Sequence, residues 1–356
     1  MKSAYRSQKM DGDRHVVGFS ISHEKENLLA RGLGLEHLQE MVIRLARTVL
    51  RNNHNLAYGG DWGERPENFT YLLLNMISAE QQDQQNDSEN QQKIGRLYNH
   101  LAWPFYLAVT PEIEAKWIDS CQIARIDQDY AGIAPEQQLT DEEIYNSAGI
   151  PLLFDKSVPT EEKKHLLFNT AVCLSAMRRA MGEQIQIPIP DLNRKETIPP
   201  ITGRIILGGK VSGYTGFLPG ILEEALYSLK RKRPLYPLGG FGGCAELIAK
   251  AILSTDSKRP DEFTLDWHCE KTPALKTLVA AADEFPCPEK ILSPKKAFDD
   301  LWRLIKRAKA SPAEILNTGL SDKDTLEVLQ TRDMDRIVKL LRSGLANQMG
   351  LDQLAG

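Results

Sequence analysis

The chain lacks the marks of several large protein classes. No apolar run approaches the ~20 residues that a membrane-crossing helix needs, and residues 1–9 carry no apolar signal core. No excess of positive charge is present. The formal net charge is −4 over 356 residues, which argues against non-specific binding to nucleic acid or to a membrane and leaves room for a local basic pocket. Cysteine is scarce. Cys121, Cys173, Cys244, Cys269 and Cys287 are odd in number and show no CxxC spacing, so a reducing cytosol is the expected compartment. Asp266-Trp-His-Cys-Glu270 has metal-ligand residue types but no second ligand pair at useful spacing, and no metal site is expected. There is no Gly-x-Ser-x-Gly elbow and no Walker lysine motif. No bound cofactor is expected.

What is present is glycine in a particular pattern. Three glycine-rich turns each follow a short apolar run and precede a segment that reads as a helix. They are Leu56-Ala-Tyr-Gly-Gly-Asp61, Ile205-Ile-Leu-Gly-Gly-Lys210 and Leu235-Tyr-Pro-Leu-Gly-Gly-Phe-Gly-Gly243. A strand that ends in Gly-Gly and feeds a helix leaves backbone N–H groups at the positive helix end, a geometry that binds phosphate. Three such turns predict an α/β fold, a Rossmann-like parallel sheet with flanking helices, whose strand ends converge on a nucleotide-like ligand. With 42% hydrophobic residues a full core can form.

The pattern along the chain divides it into a polar arm at 1–14, a Rossmann-like nucleotide-binding domain at 15–255, and a mainly helical C-terminal extension at 256–356. Strands are expected at 15–22, 55–58, 105–110, 122–126, 204–207 and 234–238. Helices are expected at 35–53, 69–79, 161–182, 219–230 and 244–253. The Gln/Asn/Asp-rich tract 81–92 reads as a solvated loop. Residues 127–160 read as a lid or a surface excursion, and 185–202, with four prolines, as a linker. Strand and helix alternate in the rhythm of right-handed crossovers. In the tail, Ser293-Pro and Ser311-Pro-Ala-Glu314 read as helix starts, the second with capping-box spacing. The apolar stripes of the tail suit core or a self-association surface.

Several residues could carry chemistry. Ser20 lies in the first strand. Gly59 and Gly60 let the backbone approach a ligand closely, and Asp61 follows them. Gly208, Gly209, Lys210 and Gly220 belong to a loop with the composition of an anion cradle. Glu223 and Glu224 sit in the first turn of the next helix, where they either stabilise its positive end or reach a ribose hydroxyl. Gly239 and Gly240 form the third turn, followed by Glu246, for which the same two readings hold. Arg178 flanks the buried face of its helix, placed to fork onto a phosphate or carboxylate.

The order of these motifs resembles the SLOG superfamily. That group joins the Lonely Guy cytokinin-activating phosphoribohydrolases, the DNA-processing Smf proteins and the ligand-sensing domains of bacterial anti-phage systems such as Thoeris. Leu56-Ala-Tyr-Gly-Gly60 looks like the Lonely Guy strand ending in Tyr-Gly-Gly. Arg178-Arg-Ala-Met181 is similar to the family's Arg-Lys-Ala-Met helix. Leu207-Gly-Gly209, resumed at Pro219-Gly-Ile-Leu-Glu-Glu224, looks like the Pro-Gly-Gly-x-Gly-Thr-x-x-Glu signature split by an insertion. The resemblance spans residues 15–255. It implies that Arg178 and Glu224 match the family's functional arginine and glutamate, the pair that cleaves an N-glycosidic bond in the hydrolases. In the sensing domains, corresponding groups hold NAD-derived signals such as cyclic ADP-ribose.

The chain departs from the hydrolase pattern. Lys210–Leu218 separate the two halves of the signature, Ile221 stands where the threonine would be, and Leu207 replaces the proline. These changes weigh against hydrolysis more than against binding. The expectation is therefore a cytoplasmic sensor of a nucleotide or NAD-derived ligand, self-associating or acting through a separately encoded effector. The alternative is an N-glycosidase using Arg178 and Glu224.

Overall fold

The strands of the computed structural model, in chain order, are β1 (Val16–Ser22), β2 (Asn55–Tyr58), β3 (Leu97–Ala102), β4 (Cys121–Ile126), β5 (Ile185–Ile189), β6 (Arg194–Ile198), β7 (Gly203–Gly208) and β8 (Leu235–Leu238). The structure describes residues 14–85, 95–189 and 194–349; the arm expected at 1–14 lies outside them except for residue 14. Six of the strands form one sheet in the order β4-β3-β2-β1-β7-β8. Every neighbouring pair is parallel. The chain winds outward from β1 in one direction and from β7 in the other, so a topological switch point lies between them.

Helices cover both faces. They are α1 (Lys25–Leu29), α2 (Leu35–Arg51), α3 (Phe69–Gln85), α4 (Pro111–Trp117), α5 (Gln128–Ala131), α6 (Lys164–Ala180), α7 (Gly220–Lys230) and α8 (Gly243–Leu253), followed by α9 (Leu265–Lys271), α10 (Pro273–Ala281), α11 (Pro294–Ala308), α12 (Pro312–Leu316), α13 (Asp322–Gln330) and α14 (Met334–Met349). Side chains alternate across the strands. Ile205 and Leu207 join Phe19 and Leu56 in a core with α2, α3 and α14. Ile206 and Ala57 join the opposite core with α6, α7, α8 and α11. Because both faces are covered, the strands read as nearly continuous apolar runs rather than as alternating ones. Helices beyond residue 256 contribute to both cores.

Four expectations are corrected. The third strand is β3 at Leu97–Ala102, and Phe105–Ala108 form a 3-10 turn just after it. Asn99 and His100 break the apolar pattern of β3, yet both are buried. The proline-bearing segment 185–202 contains the antiparallel hairpin β5–β6, with Pro188 opposite Lys195. Proline is tolerated there because a two-stranded ribbon has only edge strands. Residues 81–85 of the Gln-rich tract continue α3, and its remainder, 86–92, lies outside the described residues. Ser311 does start α12, but its side chain makes no capping hydrogen bond.

Asn99 ties β3 to the first glycine turn. Its amide donates to the carbonyls of Tyr58 at 3.2 Å and Gly60 at 2.9 Å, and its oxygen accepts from Trp62 Nε1 at 2.8 Å. Each stranded buried partner costs about 1–3 kcal/mol. Asn99→Leu is therefore expected to lower unfolding stability by at least about 2 kcal/mol, measured by urea denaturation.

Candidate functional site

The carboxyl ends of β1, β2 and β3 open into a cavity of about 270 Å³, closed on the other side by the loop after β7 and the start of α7. Ser20, Tyr58, Gly59 and Asp61 line the sheet side, with His100 and Phe105 at the β3 end. Lys210, Tyr214, Gly220 and Glu224 line the opposite side, and Arg178 reaches in from α6. The cavity thus sits over the switch point, where an open α/β sheet leaves a crevice between diverging crossovers.

A buried ionic network forms its floor. Arg204, in β7, is 1% exposed. Its Nη1 donates to Glu224 Oε2 at 2.6 Å and to Ser20 Oγ at 2.7 Å, and its Nε donates to Ser228 Oγ at 3.1 Å. The Ser20 hydroxyl also donates to Glu224 Oε2. Burial lowers the Arg204 pKa from its ordinary value, with Glu224 opposing the shift. A second buried pair lies beside it, in which Arg178 Nη1 donates to Glu223 Oε2 at 2.6 Å. Asp61 is held by Arg65 Nη2 at 2.6 Å and by the Gly63 amide at 2.8 Å. Burial alone would raise the Asp61 carboxyl, but these hydrogen bonds outweigh it and hold the group below its usual range.

Three residues lining this cavity carry buried polar atoms with no hydrogen-bond partner among the described residues: Arg178 at Nε, Tyr214 at its hydroxyl and His100 at both ring nitrogens. Lys210 is exposed at the rim and makes no ion pair among the described residues. Both buried arginines already face carboxylates, so Lys210 supplies the uncompensated charge.

The structure brings Ser20, Gly59, Asp61, Arg178, Lys210, Gly220 and Glu224 to one cavity. Glu223 stands behind it as the partner of Arg178. Gly60 does not line it. A side chain there would overlap the Tyr58 ring, so this glycine serves packing. Gly208 and Gly209 also lie off the wall. The Gly209 amide donates to the Ser22 carbonyl at 3.0 Å and is not free for a ligand. Gly209, at φ +106°, also admits no side chain between Ile221 and Cys244. The expectation that the third turn shares the site is corrected. Gly239 and Gly240 press against the Leu329 and Thr331 carbonyls, and Glu246 pairs with Arg31. That turn seats the C-terminal helices on β8. Sequence reasoning missed Arg204, Tyr214, His100 and Phe105. The one usable signal was Arg204 itself, a charge in an otherwise apolar strand.

Comparison with family models adds one match. The model described as SLOG cluster2 covers residues 12–189 and 192–328. The chain belongs to the SLOG family. Comparison with the curated proteins found no match. The SLOG match runs past the sheet into the C-terminal helices. The loop between β7 and α7 is anchored partly by those helices. The Gly213 amide donates to Thr272 Oγ1 at 3.0 Å, and the Tyr214 ring meets His268 edge-on at 5.6 Å. Phe217 packs on Phe168 of α6 at 5.8 Å.

Two outcomes follow from this geometry. Arg204→Met strands the Glu224 carboxylate and is expected to destabilise the fold by about 3–5 kcal/mol. The Arg204→Met/Glu224→Gln double variant should recover most of that loss in a denaturation cycle. Burial pushes His100 down to about 4 from an ordinary 6.5, with nearby Arg204 adding to the effect. The unfolded chain then binds the extra proton first. The stability contributed by neutral His100 is complete above about 6.5 and is lost as pH falls toward 4, by about 3 kcal/mol. Denaturation series at pH 7 and pH 4.5 should differ less for His100→Asn than for wild type.

Proposed function

We propose that this chain binds a nucleotide or NAD-derived ligand, cyclic ADP-ribose-like, in the cavity over the β1/β7 switch point. The observation that carries this reading is the set of unused donors there. Among the described residues, Arg178 Nε and the Tyr214 hydroxyl, like the ring nitrogens of His100, are buried without protein partners, and Lys210 on the same wall makes no ion pair. Buried donors without acceptors are expensive, and a phosphorylated ligand supplies acceptor oxygens. Gly220 admits the Arg178 guanidinium at close range and so sets it on the cavity wall, and Glu224 offers Oε1 to a ribose hydroxyl. Family membership supports a nucleotide-related ligand. The long insert before Gly220-Ile-Leu-Glu-Glu224 favours the sensing branch, and with it a cytosolic role in bacterial defence or nucleotide signalling through self-association or a separate effector.

Binding is favoured over N-glycoside cleavage by the state of Glu224. Its Oε2 accepts from both Arg204 and Ser20, which suits a fixed acceptor better than a mobile proton carrier.

Thermal-shift titration with AMP, NAD and cyclic ADP-ribose tests the reading. At 100 times Kd, a bound ligand adds about 2.7 kcal/mol of stability. Lys210→Ala, at an exposed position, should leave the ligand-free melting temperature nearly unchanged. It should weaken binding about tenfold at low salt, and less at high salt. Chromatography should recover the ligands intact. A flat screen contradicts the binding reading, and release of free base supports the N-glycosidase.

A further inference from the structure

The cavity is asymmetric along the sheet. Its cationic and donor-rich groups, Lys210 and Tyr214, belong to the loop after β7, and Arg178 lies against Gly216 and Gly220 of that same wall. The opposite end is formed by His100, Leu101 and Ala102 at the carboxyl end of β3 and by Phe105 just after it. β3 and β7 are separated by β2 and β1, so the two ends lie three strand spacings apart, about 14 Å. One end suits an anion and the other an uncharged flat group.

The aromatic end continues outward. The Phe105 ring meets Phe154 at 6.4 Å with the planes tilted by 55°. Phe154 comes from the irregular excursion between α5 and α6 and is 65% exposed. The excursion is tied down, not loose. Lys163 Nζ donates to the carbonyls of Leu152 at 3.2 Å and Asp155 at 2.7 Å, bracketing Phe154. Gln128 donates to the Leu139 carbonyl at 2.7 Å. A phenylalanine held with most of its ring in water, beside a cavity-lining phenylalanine, offers a free π-face next to the site.

We propose that Phe154, with Phe105 behind it, is the stacking shelf for the heteroaromatic base of the ligand. The proposal rests on the nucleotide reading above and deepens it. The β7 end takes the phosphate, Glu224 in the middle takes the sugar, and Phe154 discriminates ligands that carry a base from bare sugar phosphates. The excursion at 127–160 thereby acquires a role as a fixed specificity element.

Isothermal titration with AMP and with ribose 5-phosphate tests this on wild type and three variants. Phe154→Ala should weaken AMP about 5- to 150-fold, the range expected for loss of one base–aromatic stack, and leave ribose 5-phosphate unchanged. Phe154→Trp and Phe154→Tyr should restore AMP affinity, which a merely structural role would not predict. An unchanged AMP to ribose 5-phosphate affinity ratio in Phe154→Ala overturns the shelf and leaves the nucleotide reading standing. Wild type that binds neither compound overturns the shelf as a site for AMP, and wild type that also fails to bind NAD and cyclic ADP-ribose overturns the nucleotide reading with it.

Discussion

The buried contact between Arg204 and Glu224 is the constraint on which the site depends. It joins three elements at one point: Ser20 on β1, Arg204 on β7, and Glu224 with Ser228 on α7. A guanidinium with 1% exposure is tolerable only where its charge is met and its donors are used. That requirement fixes the rotation and height of α7 against the sheet. With α7 so placed, Gly220 and the start of the helix face the crevice left by the strand-order reversal, and Glu224 keeps one oxygen toward it. The network also limits what Glu224 can do, since Oε2 is already an acceptor twice over.

Around that fixed point, the rest of the molecule works as support. The inserted loop after β7 would be a long flexible excursion if left alone. Thr272 and His268 on one side, and Phe168 on the other, hold it as a wall of the cavity. The C-terminal helices therefore help to shape the site without lining it. The third glycine turn contributes indirectly as well. By admitting the Leu329 and Thr331 backbone at close range, it lets α13 sit on β8 and thereby completes both cores.

Much of this was legible from local pattern. Apolar runs ending in Gly-Gly marked β2 and β7, the 3.6-residue stripe marked α2, and the ordered motifs around Tyr58, Arg178 and Glu224 pointed to the SLOG family. What was not legible depended on contacts between distant residues. β3 was displaced because Asn99 and His100 look like loop residues until their burial against the first turn is seen. The β5–β6 hairpin was hidden by the prolines of segment 185–202, although edge strands tolerate proline, as Pro188 in β5 and Pro237 in β8 both show. Arg204 read as the edge of a strand, because nothing local announces that Glu224, twenty residues later, returns to the same point. The three glycine turns looked equivalent, yet glycine permits close approach of protein backbone as readily as of a ligand, and residue type alone does not distinguish the two.

The most direct test of the account is a crystal structure of the protein soaked with AMP. The account predicts density spanning the cavity, with phosphate oxygens within hydrogen-bonding distance of Lys210 and Arg178, the ribose beside Glu224 and the adenine against Phe154. A ligand that binds in solution but occupies another surface of the molecule would contradict it.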